Sequence, residues 1–123
     1  MRSFSRRVRC VTACFRILPA LWPAAAIAFS TSAAGADANA KMELGRTVFT
    51  KIAQPQCGLC HTLEDAGTTG TIGAKLEELR PDANRVAEAV RKGLGVMPPY
   101  AGKLTDEQIE AVAHYVSRAA AGN

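Results

Sequence analysis

No apolar run in this 123-residue chain reaches the roughly twenty residues that a membrane-spanning helix needs. The stretch Ile17–Phe29 holds thirteen and is broken by Pro19 and Pro23. Sustained strand alternation is missing too, and no segment repeats, which points away from sheet-built and solenoid folds. A true excess of positive charge is also lacking. Arg2, Arg6, Arg7, Arg9 and Arg16 supply five of the fifteen basic residues, and positions 37–123 keep ten against eleven acidic ones, a formal −1. The sequence pI of 9.1 is therefore a property of the N-terminus. The remainder has no electrostatic motive to bind nucleic acid or an anionic membrane surface.

The N-terminal segment has the form of an export signal. Its basic start leads into the apolar run Ile17–Phe29, and small residues follow, ending Ala34-Gly35-Ala36 before Asp37. A basic region, a short apolar region and an A-x-A-like site define a secretory signal peptide. We expect residues 1–36 to be removed on the way to the periplasm, leaving one domain over 37–123 with no stable membrane insertion. Cleavage would take Cys10, Cys14 and the single tryptophan, Trp22, with it. Only Cys57 and Cys60 would remain, too few for a disulfide framework. A domain this small is marginal on its own core, and a buried apolar cofactor would supply the missing body.

Those two cysteines stand in Cys57-Gly58-Leu59-Cys60-His61. Two thiols at this spacing can form thioether bonds to the two vinyl groups of one porphyrin, and the following imidazole is then held under its iron. The string is the attachment motif of c-type haem. A redox dithiol usually opens a helix in a βαβ setting, and no strand pattern precedes Cys57. A structural zinc site needs four ligands around a tetrahedron. Three nearly adjacent residues surround an ion poorly, and only His114 offers itself as a fourth.

Around the motif the pattern is helical. Gly45, Val48, Phe49 and Ile52 recur at i, i+3, i+4 and i+7, predicting a helix over about 39–52 that stops before Gln54-Pro55. Residues 62–73, rich in Gly and Thr, read as loop. Lys75–Arg80 reads as one short turn. Asp82 caps a helix to Lys92 with Val86 and Val90 inward and Gly93 as its stop. Gly93 to Tyr100 is a shaped loop of two glycines and two prolines around Met97. Thr105 and Gln108 form a capping box for a last helix whose inner face is Ile109, Val112, Ala113 and Val116. Small residues on the two inner faces, Gly45 on one and Ala113 on the other, allow the first and last helices to cross closely.

Haem iron has two axial positions, and His61 takes one. Met97, His114, water or an external molecule could take the other. Met97 sits in a loop braced by Pro98 and Pro99, a poor place for core filler. His114 lies about 100° around its helix from Ala113, off the inward face. The pattern thus favours Met97. Tyr100 and Tyr115 are expected in the haem pocket or at a helix contact, with hydroxyls that reach a propionate.

The order of these features resembles the small class I c-type cytochromes over residues 37–123. It runs from a helix with Gly45 and Phe49 through Cys57-x-x-Cys60-His61, Gly73-x-x-Leu76 and Met97-Pro98 to an aromatic-bearing last helix. The resemblance implies an all-α fold whose first and last helices cross around one covalently bound haem c, touching at Gly45 and Tyr115. It implies cofactor binding by Cys57, Cys60, His61 and Met97, with His61 and Met97 on the iron. It also implies a carrier of single electrons between redox proteins, a donor dehydrogenase and an acceptor such as a terminal oxidase or another cytochrome. The family commonly has proline where this chain has Ala74, and the carbonyl there accepts the proton of the ligand histidine. Leu59–Leu63 and Gly93–Pro98 are further similar to cytochromes associated with bacterial sulfite dehydrogenases. Two other functions stay open at this point: a haem subunit bound permanently to such a dehydrogenase, and a haem enzyme or gas sensor with an open axial site.

Overall fold

The computed structural model describes residues 34–122. The export-signal reading of residues 1–36 falls outside the described residues except for its last three positions. Helix α1 spans Ala34–Thr47 and runs on into a π-helical turn, Val48–Ile52. A 3₁₀ turn, Cys57–Leu59, leads to a hairpin of β1 (Thr62–Leu63) and β2 (Thr68–Thr69). Then come α2 (Leu76–Leu79), α3 (Ala83–Lys92) and α4 (Asp106–Ala120). No helix among the described residues is long and apolar enough to cross a membrane.

Helix α4 is the centre of the arrangement. Its start is fixed locally, since the Gln108 amide donates to Thr105 Oγ1 at 3.2 Å and the Thr105 amide donates to Gln108 Oε1 at 2.9 Å. Ile109, Val112, Ala113 and Val116 are buried as their spacing predicts, and Ala111, Tyr115 and Ala120 are buried with them. The helix is covered on two sides because it packs against both α1 and α3. Helix α3 begins at Asp82, whose carboxylate accepts from the Arg85 amide at 2.9 Å, and stops at Gly93 with φ of 75°. Val90 is buried as expected; Ala87 joins it, and Val86 is only partly covered. Arg91 bridges α3 to α4 by ion pairs to Glu110 at 2.8 Å and Asp106 at 3.5 Å, an exposed link of small energetic weight.

The crossing of α1 and α4 is closer than side chains would allow. A Cβ on Gly45 would lie 2.2 Å from the Ala111 carbonyl oxygen and 2.5 Å from Tyr115 Cβ. The small residue facing Gly45 is therefore Ala111, not Ala113 as the sequence pattern suggested. Ala113 is buried on another side of the same helix. Tyr115 sits beside the crossing, edge-on to Phe49 with ring centroids 6.0 Å apart, and its hydroxyl donates to Asp65.

Three local features depart from the periodic reading. The first helix changes pitch after Thr47. Thr50 Oγ1 donates to the Arg46 carbonyl at 2.8 Å, and the Ala53 amide reaches five residues back to Val48 O at 3.1 Å. Such side-chain competition loosens a helix, and the wider turn shifts its register by one residue. Ala53 is therefore buried, while Ile52, expected inward, is 38 % exposed. The second departure lies in the predicted loop 62–73, where Thr62 pairs with Thr69 and Leu63 with Thr68. Threonine hydroxyls staple this pair of strands, Thr62 Oγ1 to Gly70 O at 2.8 Å and Thr68 Oγ1 to His61 O at 3.0 Å. Two residues per strand are too few to leave an alternating pattern. The third is the start of α1, which lies several residues before position 39.

Gly45→Ala should destabilise the protein despite alanine's better helix propensity. The propensity gain is about 1 kcal/mol, while overpacking against fixed backbone costs about 1–3 kcal/mol. We expect a net loss in urea denaturation and a lower yield of folded protein. A second expectation concerns alkaline pH. Burial first, then the hydrogen bond to Asp65 and its charge, pushes the Tyr115 phenol well above its ordinary value. Stability carried by a raised pKa is full below the unfolded value, about 10, and is lost as pH rises beyond it. Wild type should exceed Tyr115→Phe by about 1.5 kcal/mol near neutrality. The gap should shrink above about pH 10.

Candidate functional site

The Cys57–Leu59 turn gathers the reactive side chains by backbone bonds alone. The amides of Cys60 and His61 both donate to the Cys57 carbonyl, at 3.1 and 2.9 Å. Both thiols and the imidazole thereby face one cavity of about 770 Å³. Its other walls are mainly apolar, built from Phe49 and Pro55, Leu76, Val90, Tyr100, Val112 and Val116. Cavities of this size and polarity hold cofactors and small ligands.

His61 is held in one orientation. Its Nδ1 lies 2.9 Å from the Ala74 carbonyl oxygen. A carbonyl only accepts, so Nδ1 carries the proton and Nε2 keeps its lone pair. The expected bond to position 74 thus exists with alanine in place of proline. The Gly73 amide, donating to Cys60 O at 2.8 Å, brings this strand of chain back under the motif. Gly73 also makes room, since a Cβ there would lie 2.5 Å from His61 Cε1 and 2.7 Å from Nδ1.

Cys57 is no activated nucleophile. Burial, opposed by a backbone hydrogen bond and aided by the neighbouring Cys60, pushes its thiol up to about 11. Redox dithiols work through the opposite shift. Among the described residues no three His, Cys, Asp or Glu side chains converge as ligands for one ion.

Met97 reaches the same cavity from the loop after α3. The loop closes on itself, with the Leu94 amide donating to Met97 O at 3.1 Å and the Met97 amide to Leu94 O at 3.0 Å. Gly93 must be glycine there: φ is 75°, and a Cβ would lie 2.6 Å from Met97 O. His114 does not line the cavity. It is half-buried on α4, and its pKa is lowered first by burial, then by the charges of Lys41 and Arg118. The tyrosines correct an expectation. Tyr100 does line the cavity, but its hydroxyl donates to Pro55 O at 2.7 Å, and that of Tyr115 goes to Asp65, so neither is free for a propionate. A phenol buried in folded structure serves a backbone carbonyl or a near carboxylate when one lies within reach.

The sequence reading missed much of the wall. Ile72, Leu94 and Val96 line the cavity and are 71, 71 and 85 % exposed. Their signal was available: bulky apolar residues set in Gly-rich loops, where no helix face buries them. Two thiols, an imidazole whose Nδ1 is bonded to Ala74, a thioether and an apolar surround fit a covalently held haem, with Cys57, Cys60, His61 and Met97 as the residues to hold it.

Comparison with known proteins agrees. A family profile described as "Cytochrome C oxidase, cbb3-type, subunit III" matches residues 40–116. Cytochrome c6 of Leptolyngbya boryana is 33 % identical over 70 residues, covering 54 % of this chain and 82 % of the relative. Cytochrome c6 of Microcystis aeruginosa is 33 % identical over 76 residues, covering 58 % of this chain and 89 % of the relative. The crystal structure of the c-type cytochrome SorU from Sinorhizobium meliloti is similar with a TM-score of 0.64 and 54 % identity, covering 67 % of this chain and 93 % of SorU.

Gly73→Ala should displace the His61 ring, because the nearest atoms to the new Cβ all belong to that imidazole. Mass spectrometry of the expressed protein should show a severalfold smaller fraction carrying covalent haem. Nitrogen NMR of the ferrous protein should show the Nδ1 proton, now unbonded to Ala74, exchanging faster.

Proposed function

The chain belongs to the c-type cytochrome family, and on that footing we propose that it is exported to the periplasm and passes single electrons there between redox proteins. The observation that carries this is the convergence of Cys57, Cys60, His61 and Met97 on one apolar cavity. The haem, when bound, supplies one-electron exchange between ferrous and ferric iron. Cys57 and Cys60, which face the same cavity, would hold it as thioethers. His61 offers Nε2 to the iron and is kept from rotating by Ala74. Met97, on the wall of the same cavity, would offer its thioether to that iron. Sulfur there favours the ferrous state and places the potential higher than a second imidazole would.

The mainly apolar walls would shield much of a bound haem from water, which limits reorganisation when charge changes. The exposed apolar rim of Ile72, Leu94 and Val96 gives partners a small surface to meet. Contacts of that size suit brief encounters with a donor dehydrogenase and an acceptor oxidase or cytochrome. Met97 on the cavity wall supports an iron that would be held by His61 and Met97 over one left open to gases. A permanent place beside a dehydrogenase, of the sulfite-oxidising kind that Leu59–Leu63 and Gly93–Pro98 resemble, would use the same rim. Co-purification with a larger subunit would distinguish it from a free carrier.

Periplasmic protein should begin at or near Asp37 and carry the mass of one haem that survives acid-acetone extraction. Ferric wild type should show the weak far-red sulfur-to-iron band. Met97→Ala should abolish that band, admit carbon monoxide to the ferrous iron and lower the potential by on the order of 100 mV, a fraction of the roughly 0.8 V that axial ligation spans. His114→Ala should change none of these. If His114→Ala removes the band and Met97→Ala leaves it, the ligand assignment is wrong.

A further inference from the structure

We propose that Tyr100 is a positioning residue for Met97, a clasp that fastens the methionine loop to the cysteine segment and keeps the sixth iron position closed to external ligands. The inference rests on the His61/Met97 reading given above. The two ligands arrive on separate pieces of chain. His61 follows the cysteine turn directly, while Met97 stands in the loop between Gly93 and Tyr100. Both ends of that loop are fastened to α3: the Gly93 amide donates to Ala89 O at 2.8 Å, and the Tyr100 amide donates to Val90 O at 2.9 Å. Neither bond ties the loop to the segment that carries His61.

The Tyr100 hydroxyl does. It donates to Pro55 O at 2.7 Å, spanning 45 positions in sequence and ending two residues before Cys57. Among the described residues this is the hydrogen bond that joins loop 93–100 to segment 53–61. The residue that makes it is rigidly placed. Tyr100 is 3 % exposed, and its carbonyl accepts from the Lys103 and Leu104 amides at 3.0 Å each. Between Met97 and Tyr100 stand only Pro98 and Pro99, whose rings fix φ near −65°. A shift of Tyr100 is therefore passed along this short arm to the thioether rather than absorbed by it.

A thioether is a weak ligand, so access to the iron is set by how often the loop opens. Apparent affinity for an external ligand equals its intrinsic affinity scaled by the open fraction. Removing one clasp bond raises that fraction without altering the iron's own chemistry. Tyr100→Phe keeps the ring on the cavity wall, and the Pro55 carbonyl belongs to an exposed residue that water can reach.

The test is imidazole titration of ferric holoprotein, followed by loss of the far-red band. Tyr100→Phe should show the band at its wild-type position and reach half-conversion at about tenfold lower imidazole, a factor equal to about 1.4 kcal/mol. Tyr115→Phe is the control, since it also removes one buried phenol bond but lies behind the cavity. It should lower stability to urea and leave the imidazole midpoint where wild type has it. A Tyr100→Phe midpoint within twofold of wild type, or an equal shift in Tyr115→Phe, would overturn the proposal. Met97→Ala run in parallel isolates the premise: if it keeps the band, the ligand reading fails whatever Tyr100→Phe does. Should Tyr100→Phe not accumulate with haem, hydrogen exchange on wild type decides. The Tyr100 amide should lose protection in the imidazole complex while the Ile109 amide keeps it, and retained protection at Tyr100 would sink the clasp.

Discussion

The contact between α1 and α4 at Gly45 is the constraint on which the rest of this domain depends. Backbone meets backbone there, with the Ala111 carbonyl in the space a side chain would fill. Helices that approach this closely cannot slide, because each residue beside the crossing is seated by the next. Tyr115 and Phe49 lock edge to face beside it. The end of α1 is thereby aimed, and the cysteine turn that follows a few residues later opens onto the other side of α4. Val112 and Val116 line the cavity while their neighbours on the same helix, Ala111 and Tyr115, carry the crossing. One helix thus serves as partner to α1 on one face and as cavity wall on another.

The site is assembled from three pieces of chain that have no local reason to meet. The cysteine turn brings Cys57, Cys60 and His61. The Gly73-Ala74 segment supplies the carbonyl that chooses the imidazole tautomer. The loop after α3 brings Met97. Glycine appears where two of these pieces touch: Gly73 under the His61 ring and Gly93 against the Met97 carbonyl. At both places a methyl group would push a proposed iron ligand off its position. Hydroxyl groups do the joining elsewhere, as Thr68 does for the hairpin and Tyr100 for the loop. The cavity stays apolar because these polar groups are spent on backbone partners instead of facing inward.

Much of this was legible in the residues. The attachment motif, both capped helices, the short turn at Lys75–Arg80 and the inward face of α4 all follow from local rules. The departures come from changes of pitch and from distant neighbours, neither of which residue spacing records. Periodicity assumes a constant pitch and so points Ile52 inward, and the π-helical turn breaks that pitch. A buried small residue gives no indication of which neighbour it meets on a helix covered from two sides, so the pattern points to Ala113 where Ala111 makes the contact. Tyr100 lies in the pocket and Tyr115 at the helix contact as expected, but their hydroxyl partners, Pro55 and Asp65, lie 45 and 50 positions away in sequence, beyond the reach of a local pattern.

The sequence by itself determined the chemistry. Cys57-x-x-Cys60-His61 names a covalently held haem, because covalent spacing is a property of a few consecutive bonds, and the methionine braced by two prolines is the residue proposed as the second ligand of its iron. It also determined where helices start and stop, because caps act within one turn. Only the tertiary structure decided which residue lies under Gly45, that the Tyr115 hydroxyl goes to Asp65, and that Tyr100 ties the Met97 loop to Pro55. These depend on the direction in which one element crosses another, and that direction is set by the summed fit of side chains from distant positions. No single stretch of residues carries that information.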